Sequence, residues 1–284
     1  MKRIQILAVL GLALAVAAVA ELVFVRAVEA PQPAASVPAT SSTASAPEQT
    51  RSPVPLAPIR IGAVFPLDGD AAALSRAELA GVQIAADTLN AAGGAAGHAI
   101  ALDVRDLSGA SEAASVVASL KAAGASVIVG TYSSDLSMAV SSAAAAAGLV
   151  YWEAGSVADR LTGRGLPSVF RVGASGSNLG DDSSTFAAQE LAPRLGKSAG
   201  RLRVAVVNAD DDYATSVADA AVRTAAVERM PVVARLTYNL SVPDWPRVMA
   251  DLKSSHPDVV ILASHIADGI AFRRAMIVAG FKVG

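Results

Sequence analysis

Short apolar runs alternate with helical patterns along most of this chain, and that alternation restricts its fold more than any other feature. IRIGAVFPL (59–67) reads as a buried strand. In the pattern that follows, Leu79, Val82, Ala86 and Leu89 share one helical face at spacings of three and four. Ser75 with Glu78 three positions on gives that helix a capping-box start, and Gly93-Gly94 ends it. AIALDVRD (99–106) alternates as a strand, Ser111 is placed to cap a helix that stops at Gly124, and SVIVG (126–130) is a central-strand run. Further strands are predicted at 149–155, 168–173, 201–208, 231–239 and 258–264, with helices over 135–147, 178–195, 213–229, 244–255 and 266–279. Strands separated by helices of this length specify an α/β fold, with parallel sheets covered on both faces. The break near 173–177 divides the pattern into two lobes, residues 59–173 and 174–284.

The stretch GTYSSDLSMAV (130–140) lies where a buried strand hands over to a helix. In open parallel sheets ligands bind beyond the carboxyl ends of strands. A helix start also exposes free N–H groups and the positive end of the helix dipole. Ser133 and Ser134 therefore have two readings: a helix cap, or donors to a bound anion. If the two roles are divided, Ser133, nearer the strand, is the ligand contact and Ser134 the cap. Tyr151-Trp152 at the next strand end should place one ring inside and one outside.

Enzyme signatures are incomplete. Gly196-Lys197-Ser198 resembles the end of a phosphate-binding loop, but Leu191 stands where that loop needs glycine, and a helix precedes it. No GxSxG elbow occurs. The run Asp210-Asp211-Asp212 lacks the spaced ligands of a calcium loop and suits the first turn of a helix. The chain has no cysteine, and its three histidines (His98, His256, His265) show no metal-ligand spacing. With 23 Lys+Arg against 25 Asp+Glu it has no basic excess for a nucleic-acid backbone. Catalysis therefore has little support in the sequence, and no catalytic residue, metal, cofactor or nucleic-acid partner is expected. At 284 residues, 53% of them hydrophobic, the chain can bury one or two sizeable cores.

Lys2 and Arg3 precede an apolar run over 4–25, with small-residue sites at Ala18-Val19-Ala20 and Val28-Glu29-Ala30. Residues 1–30 read as a cleaved secretory signal or as an uncleaved membrane anchor. Residues 31–58, rich in Pro, Ala, Ser and Thr, read as an extended linker.

IRIGAVFPLDGDAAALSRAELAGVQIAADTLNAAGG, GTYSSDLSMAV, AGSVADRLTGRGLPSVFRV, RVAVVNADDDYATSVADA and DWPRVMADLKSSHPDVVILA occur in that order. In this combination the chain resembles the type I periplasmic solute-binding proteins of the leucine/isoleucine/valine-binding family over residues 59–284. The resemblance implies two Rossmann-like lobes joined by a hinge, closing over an amino acid or similar small polar metabolite for a membrane ABC permease. It implies a periplasmic location. The family's G-x-x-S-S loop falls on Ser133 and Ser134, with Tyr132 beside them, and in amino-acid binders that loop holds the α-carboxylate. Ser156 and Val157 fall on the loop after the next strand, where amino-acid binders carry a threonine. Tyr213 matches a lobe 2 aromatic that covers the ligand, and His265 stands where another aromatic makes contact. Leu74 replaces a common large aromatic. The resemblance also implies a further lobe 2 strand, an acidic ligand contact and a return to lobe 1 beyond Gly284, so the second lobe is expected to be incomplete. A membrane-tethered extracellular sensing domain is the alternative function, distinguished by retention of residues 4–25.

Overall fold

A computed structural model describes residues 56–69 and 71–283 of the chain; the expected signal or anchor (1–30), and most of the expected linker (31–58), lie outside the described residues. β1 (Ile59–Phe65) carries the apolar run, and its Ala63, Val64 and Phe65 are fully buried. α1 (Ala72–Ala91) and the outer strand β2 (Ile100–Asp106) follow. A 3-10 turn at Ala110–Glu112 then leads into α2 (Ala113–Ala122), β3 (Val127–Gly130), α3 (Ser134–Ala146) and β4 (Val150–Glu153). The short α4 (Arg160–Gly163) and β5 (Val169–Arg171) complete the first unit. All five strands are parallel, in the order β2-β1-β3-β4-β5. The chain runs outward from β1 to β2 and then restarts on the other side of β1 at β3, so the strand order reverses between them.

α5 (Gly176–Phe186) crosses to the second unit and extends through a π turn at Ala187–Leu191 into a last turn at Ala192–Arg194. β6 (Val204–Ala209), α6 (Asp212–Val227), β7 (Val232–Tyr238), α7 (Trp245–Ser255), β8 (Val259–Ala263) and α8 (Ile266–Val278) follow. Here the order is β7-β6-β8, again parallel, with a second reversal at β6. All six residues of β6 are buried, and their two faces feed different cores. Val204 and Val206 join Leu202, Met230 and Ile261, whereas Ala205 and Val207 join Met249, Leu252 and Phe272. This period of two with both faces apolar is what a strand covered by helices on each side requires. In the first unit Leu120, Ile128, Val140 and Tyr151 are fully buried in one core, each side chain contributing about 1.5–3 kcal/mol by transfer from water.

Two helix starts differ from expectation. α1 begins at Ala72, one turn before Ser75, and Ser75 is buried inside the helix with its hydroxyl unpartnered. Ala72, Ala73 and Leu74 are good helix formers, so nothing delays the helix until the serine. Glu78 is thus free of any capping role. Ser111 lies within the 3-10 turn, and Glu112, not Ser111, precedes α2. The Tyr151-Trp152 alternation is present: Tyr151 is fully buried, whereas Trp152 is 43% exposed and stacks on Phe170 at 5.9 Å.

α5 and α6 pack closely because Gly180 faces α6. A Cβ there would lie 2.2 Å from the Val217 carbonyl oxygen, so any side chain would force the pair apart. Across the two units, the Asp159 N–H donates to Ser216 Oγ at 3.1 Å, and Arg160 pairs with Asp212 at 2.8 Å. The ion pair is exposed on its Arg160 side, which limits its worth to at most about 1 kcal/mol.

Candidate functional site

A cavity of about 340 Å³ opens between the two units at the carboxyl ends of β3, β4, β6 and β8. β3, β6 and β8 lie beside the two reversals of strand order, with β4 next to β3, where the loops diverge and leave a crevice. Tyr132, Ser133 and Ser134 enter it after β3, and Ser156 and Val157 after β4. Tyr213 comes after β6 and His265 after β8. The structure therefore brings all seven sequence-selected residues to one cavity. Gly155, Leu179, Ser264 and Ile266 also line it and were not singled out. Gly155, Ser264 and Ile266 sit at strand ends, a signal that could have found them. Leu179, one turn into α5, carries no such local signal.

Ser133 is the N-cap of α3: its backbone is extended (φ −90°, ψ 148°), and its Oγ accepts from the Leu136 N–H at 3.3 Å. The cap is therefore Ser133 and not, as expected, Ser134. Ser134 is the first helical residue, nearly buried, and its Oγ accepts from the Ala158 N–H at 3.3 Å, bracing the loop after β4. The reason is geometric. Only the residue with extended backbone can fold its side chain back over the third amide, and that residue is the one nearer the strand. A hydroxyl that accepts from an N–H keeps its own proton. Half-buried Ser133 can therefore cap α3 and still donate into the cavity.

Ser156 differs. The residue is 3% exposed, and its hydroxyl donates to the Tyr132 carbonyl at 3.0 Å. Ser137 Oγ lies 2.6 Å from Ser156 Oγ and 2.7 Å from Thr131 Oγ1, and Thr131 donates to the Ser133 carbonyl at 3.2 Å. Every proton in this chain is used within the protein, so Ser156 meets the cavity through its backbone while its side chain fixes the β3 loop.

Beneath the loops lie two carboxylates. Glu153 Oε1 accepts from the Gly155 and Ser156 N–H groups at 2.9 and 2.7 Å, and its Oε2 lies 2.9 Å from the Tyr151 hydroxyl. That hydroxyl also contacts the Gly130 carbonyl. One phenolic proton cannot serve both acceptors. Burial raises Glu153 above the usual carboxylate range. A proton on Glu153 Oε2 would resolve the conflict by donating to Tyr151, which would then donate to Gly130. Burial pushes Glu78 up to about 7, and whatever fraction of Glu153 is ionised adds to the shift. Its Oε2 is buried without a partner, and it fits only because residue 155 is glycine: a Cβ there would lie 1.8 Å from Glu78 Oε1.

A raised carboxylate makes a signed prediction. Between about pH 4.5 and 7 the native state keeps a proton on Glu78 that the unfolded chain has lost. Stability therefore falls as pH rises through that window. Glu78→Gln should match wild type below it and exceed wild type above it by about 1–2 kcal/mol, discounted for partial solvation. Urea unfolding at several pH values checks this, and a wild-type-minus-variant difference independent of pH would refute it.

On the second unit Asp211 caps α6 by accepting from the Ala214 N–H at 2.7 Å, while Asp210 accepts from the Leu240 N–H and Asn239. The aspartate run thus serves helix and loop ends, and no group of three or more metal-ligating side chains occurs among the described residues. Tyr213 packs edge-on to His265 at 5.1 Å. No helix among the described residues is long and apolar enough to cross a membrane.

A family model described as periplasmic binding protein matches residues 58–284. A Leu/Ile/Val-binding protein homolog 8 of Brucella abortus (strain 2308) is 32% identical over 228 residues, covering 80% of this chain, and a homolog 7 of Brucella suis is 32% identical over 230 residues. The chain spans 57% of the length of each of these relatives. Among solved structures, it is similar to the branched-chain amino acid transporter substrate binding protein LivJ of Streptococcus pneumoniae in complex with isoleucine. That match has a TM-score of 0.66 at 25% identity and covers 80% of this chain and 62% of that one. A closed leucine-, isoleucine-, valine-, threonine- and alanine-binding protein of Brucella ovis shares the fold, with a TM-score of 0.69 at 20% identity over 80% of this chain and 59% of that one.

Proposed function

This chain belongs to the periplasmic binding protein family, and we propose that it acts as the extracytoplasmic substrate-binding component of an ABC importer. In this reading an amino acid, or a similar small metabolite bearing a carboxylate, enters the cleft between lobes formed by residues 59–173 and 174–284. The observation that carries the reading is the convergence of four strand-end loops from both sheets on one cavity at the start of α3. The ligand carboxylate would accept a hydrogen bond from the Ser133 hydroxyl and lie at the positive end of the α3 dipole. Its body would meet Val157, Leu179, Tyr213 and Ile266. The similarity to LivJ, solved with isoleucine, supports testing branched-chain amino acids first. A ligand bridging both lobes gains affinity from closure that excludes water, and the closed form is what a membrane permease would recognise. Family membership supports a periplasmic location.

A thermal-shift panel tests this. Ligand that binds only the folded state stabilises it by mass action, about 2.7 kcal/mol at a hundredfold excess over Kd. L-leucine, L-isoleucine or L-valine should raise the melting temperature, and the matching amides, which lack the carboxylate, should not. Equal shifts with acid and amide would remove the carboxylate reading, and no shift with any carboxylate would remove the ligand.

A further inference from the structure

Among the described residues no lysine or arginine lines the cavity, yet acids stand close to it on both units. Asp211 Oδ2 and Asp268 Oδ1 lie 3.5 and 3.9 Å from the ring nitrogens of cavity-lining His265. Asp135 stands in the first turn of α3, on the opposite unit. Asp212 is paired with Arg160. A cleft bordered by one sign of charge concentrates the other sign. A plain carboxylate enters this field unaided, whereas a zwitterion brings its own counter-charge.

Glu78 is the acid placed to meet that counter-charge. A Cβ at residue 155 would lie 1.8 Å from Glu78 Oε1, 2.4 Å from its Cδ and 2.6 Å from its Oε2. The carboxyl group thus stands where cavity-lining Gly155 has no side chain of its own. Its Oε2 is buried and accepts no hydrogen bond within the protein. Such an oxygen is costly unless a donor reaches it. Tyr132, on the loop that leads to Ser133, is raised by burial and then by the charge of Glu78. Glu78 therefore borders the same end of the cavity as Ser133. In an α-amino acid a single carbon separates carboxylate from ammonium, so a carboxylate at Ser133 brings the ammonium to this end. Other acceptors there are few. Val157 has no polar side-chain atom, and the Ser156 hydroxyl donates to the Tyr132 carbonyl. Glu153 is committed to the Gly155 and Ser156 amides and to Tyr151. Asp211 and Asp268 belong to the other unit, where the His265 ring stands at their free oxygens.

We propose that Glu78 is a specificity-determining residue, the acceptor for a ligand's α-ammonium, and that it sets amino acids apart from simple carboxylates in this cavity. The assignment rests on the carboxylate reading of the cavity at Ser133.

Calorimetry on the full chain at about pH 8, above the Glu78 value of about 7, tests it. L-leucine, L-isoleucine and L-valine are each compared with the des-amino acid, the same skeleton with hydrogen in place of the ammonium. Wild type should bind at least one amino acid about tenfold to a hundredfold more tightly than its des-amino partner, the span of a charge-assisted hydrogen bond. Glu78→Gln keeps an acceptor oxygen but loses the charge. It should bind the amino acid about tenfold more weakly and the des-amino acid as well as wild type or better. Without ligand the same variant is expected to be the more stable protein at this pH. Weaker binding joined to higher stability separates a ligand contact from structural damage. Equal binding of amino acid and des-amino acid by wild type would overturn the proposal and leave the carboxylate reading standing. An undiminished preference in Glu78→Gln would remove Glu78 from the role. If neither kind of acid binds, the carboxylate reading fails and the assignment falls with it.

Discussion

Replacing Glu153 with leucine should destabilise the fold by about 3–5 kcal/mol, whereas glutamine should cost less than about 1 kcal/mol. Leucine leaves the Gly155 and Ser156 N–H groups without their acceptor, and Glu153 is only 3% exposed, so water does not readily replace it. Each buried donor so stranded costs about 1–3 kcal/mol. Glutamine keeps the oxygen for both amides and turns an N–H toward Tyr151, reproducing the protonated acid. Urea unfolding of the two variants measures the difference. If glutamine proves as damaging as leucine, Glu153 is held ionised, and the Tyr151 hydroxyl donates to it rather than to the Gly130 carbonyl.

Ser133→Ala should weaken a carboxylate ligand by about tenfold to a hundredfold, through loss of a charge-assisted hydrogen bond of about 1.5–3 kcal/mol. It should also lower stability by about 0.5–2 kcal/mol, because the same oxygen caps α3. Ser134→Ala should change affinity less, since its side chain is nearly buried and turned to the Ala158 amide. Calorimetry at matched folded concentration, with any carboxylate that raises the melting temperature, separates the two quantities. Equal affinities in wild type and both variants would leave the pair as purely structural. Ser133→Asp is an informative companion. It retains the cap but brings a negative charge to the anion site, so it should keep stability and abolish binding.

The alternation of apolar runs and helical faces determined the parallel α/β architecture without help from the structure. Periodicity is a local property, and IRIGAVF or VAVVNA can be buried on both faces only in a covered sheet. The same logic made most of the site legible. Gly130 to Ser134 and Ser156-Val157 follow strand ends, and strand ends at a reversal of order are where a crevice opens. What the sequence left open depended on backbone torsions and on partners far along the chain. Ser133 and Ser134 are chemically identical, and only the extended torsions of Ser133 decide which hydroxyl reaches back over the helix. Ser75 and Glu78 have the spacing of a capping box, yet the helix starts a turn earlier and Glu78 turns toward Gly155, 77 positions away. Asp211 and Asp268 meet beside one imidazole, with Tyr238 bonded to Asp268, because β6, β7 and β8 lie side by side. Burial of a carboxylate, and hence its protonation, is set by what packs over it, which no window of neighbouring residues contains.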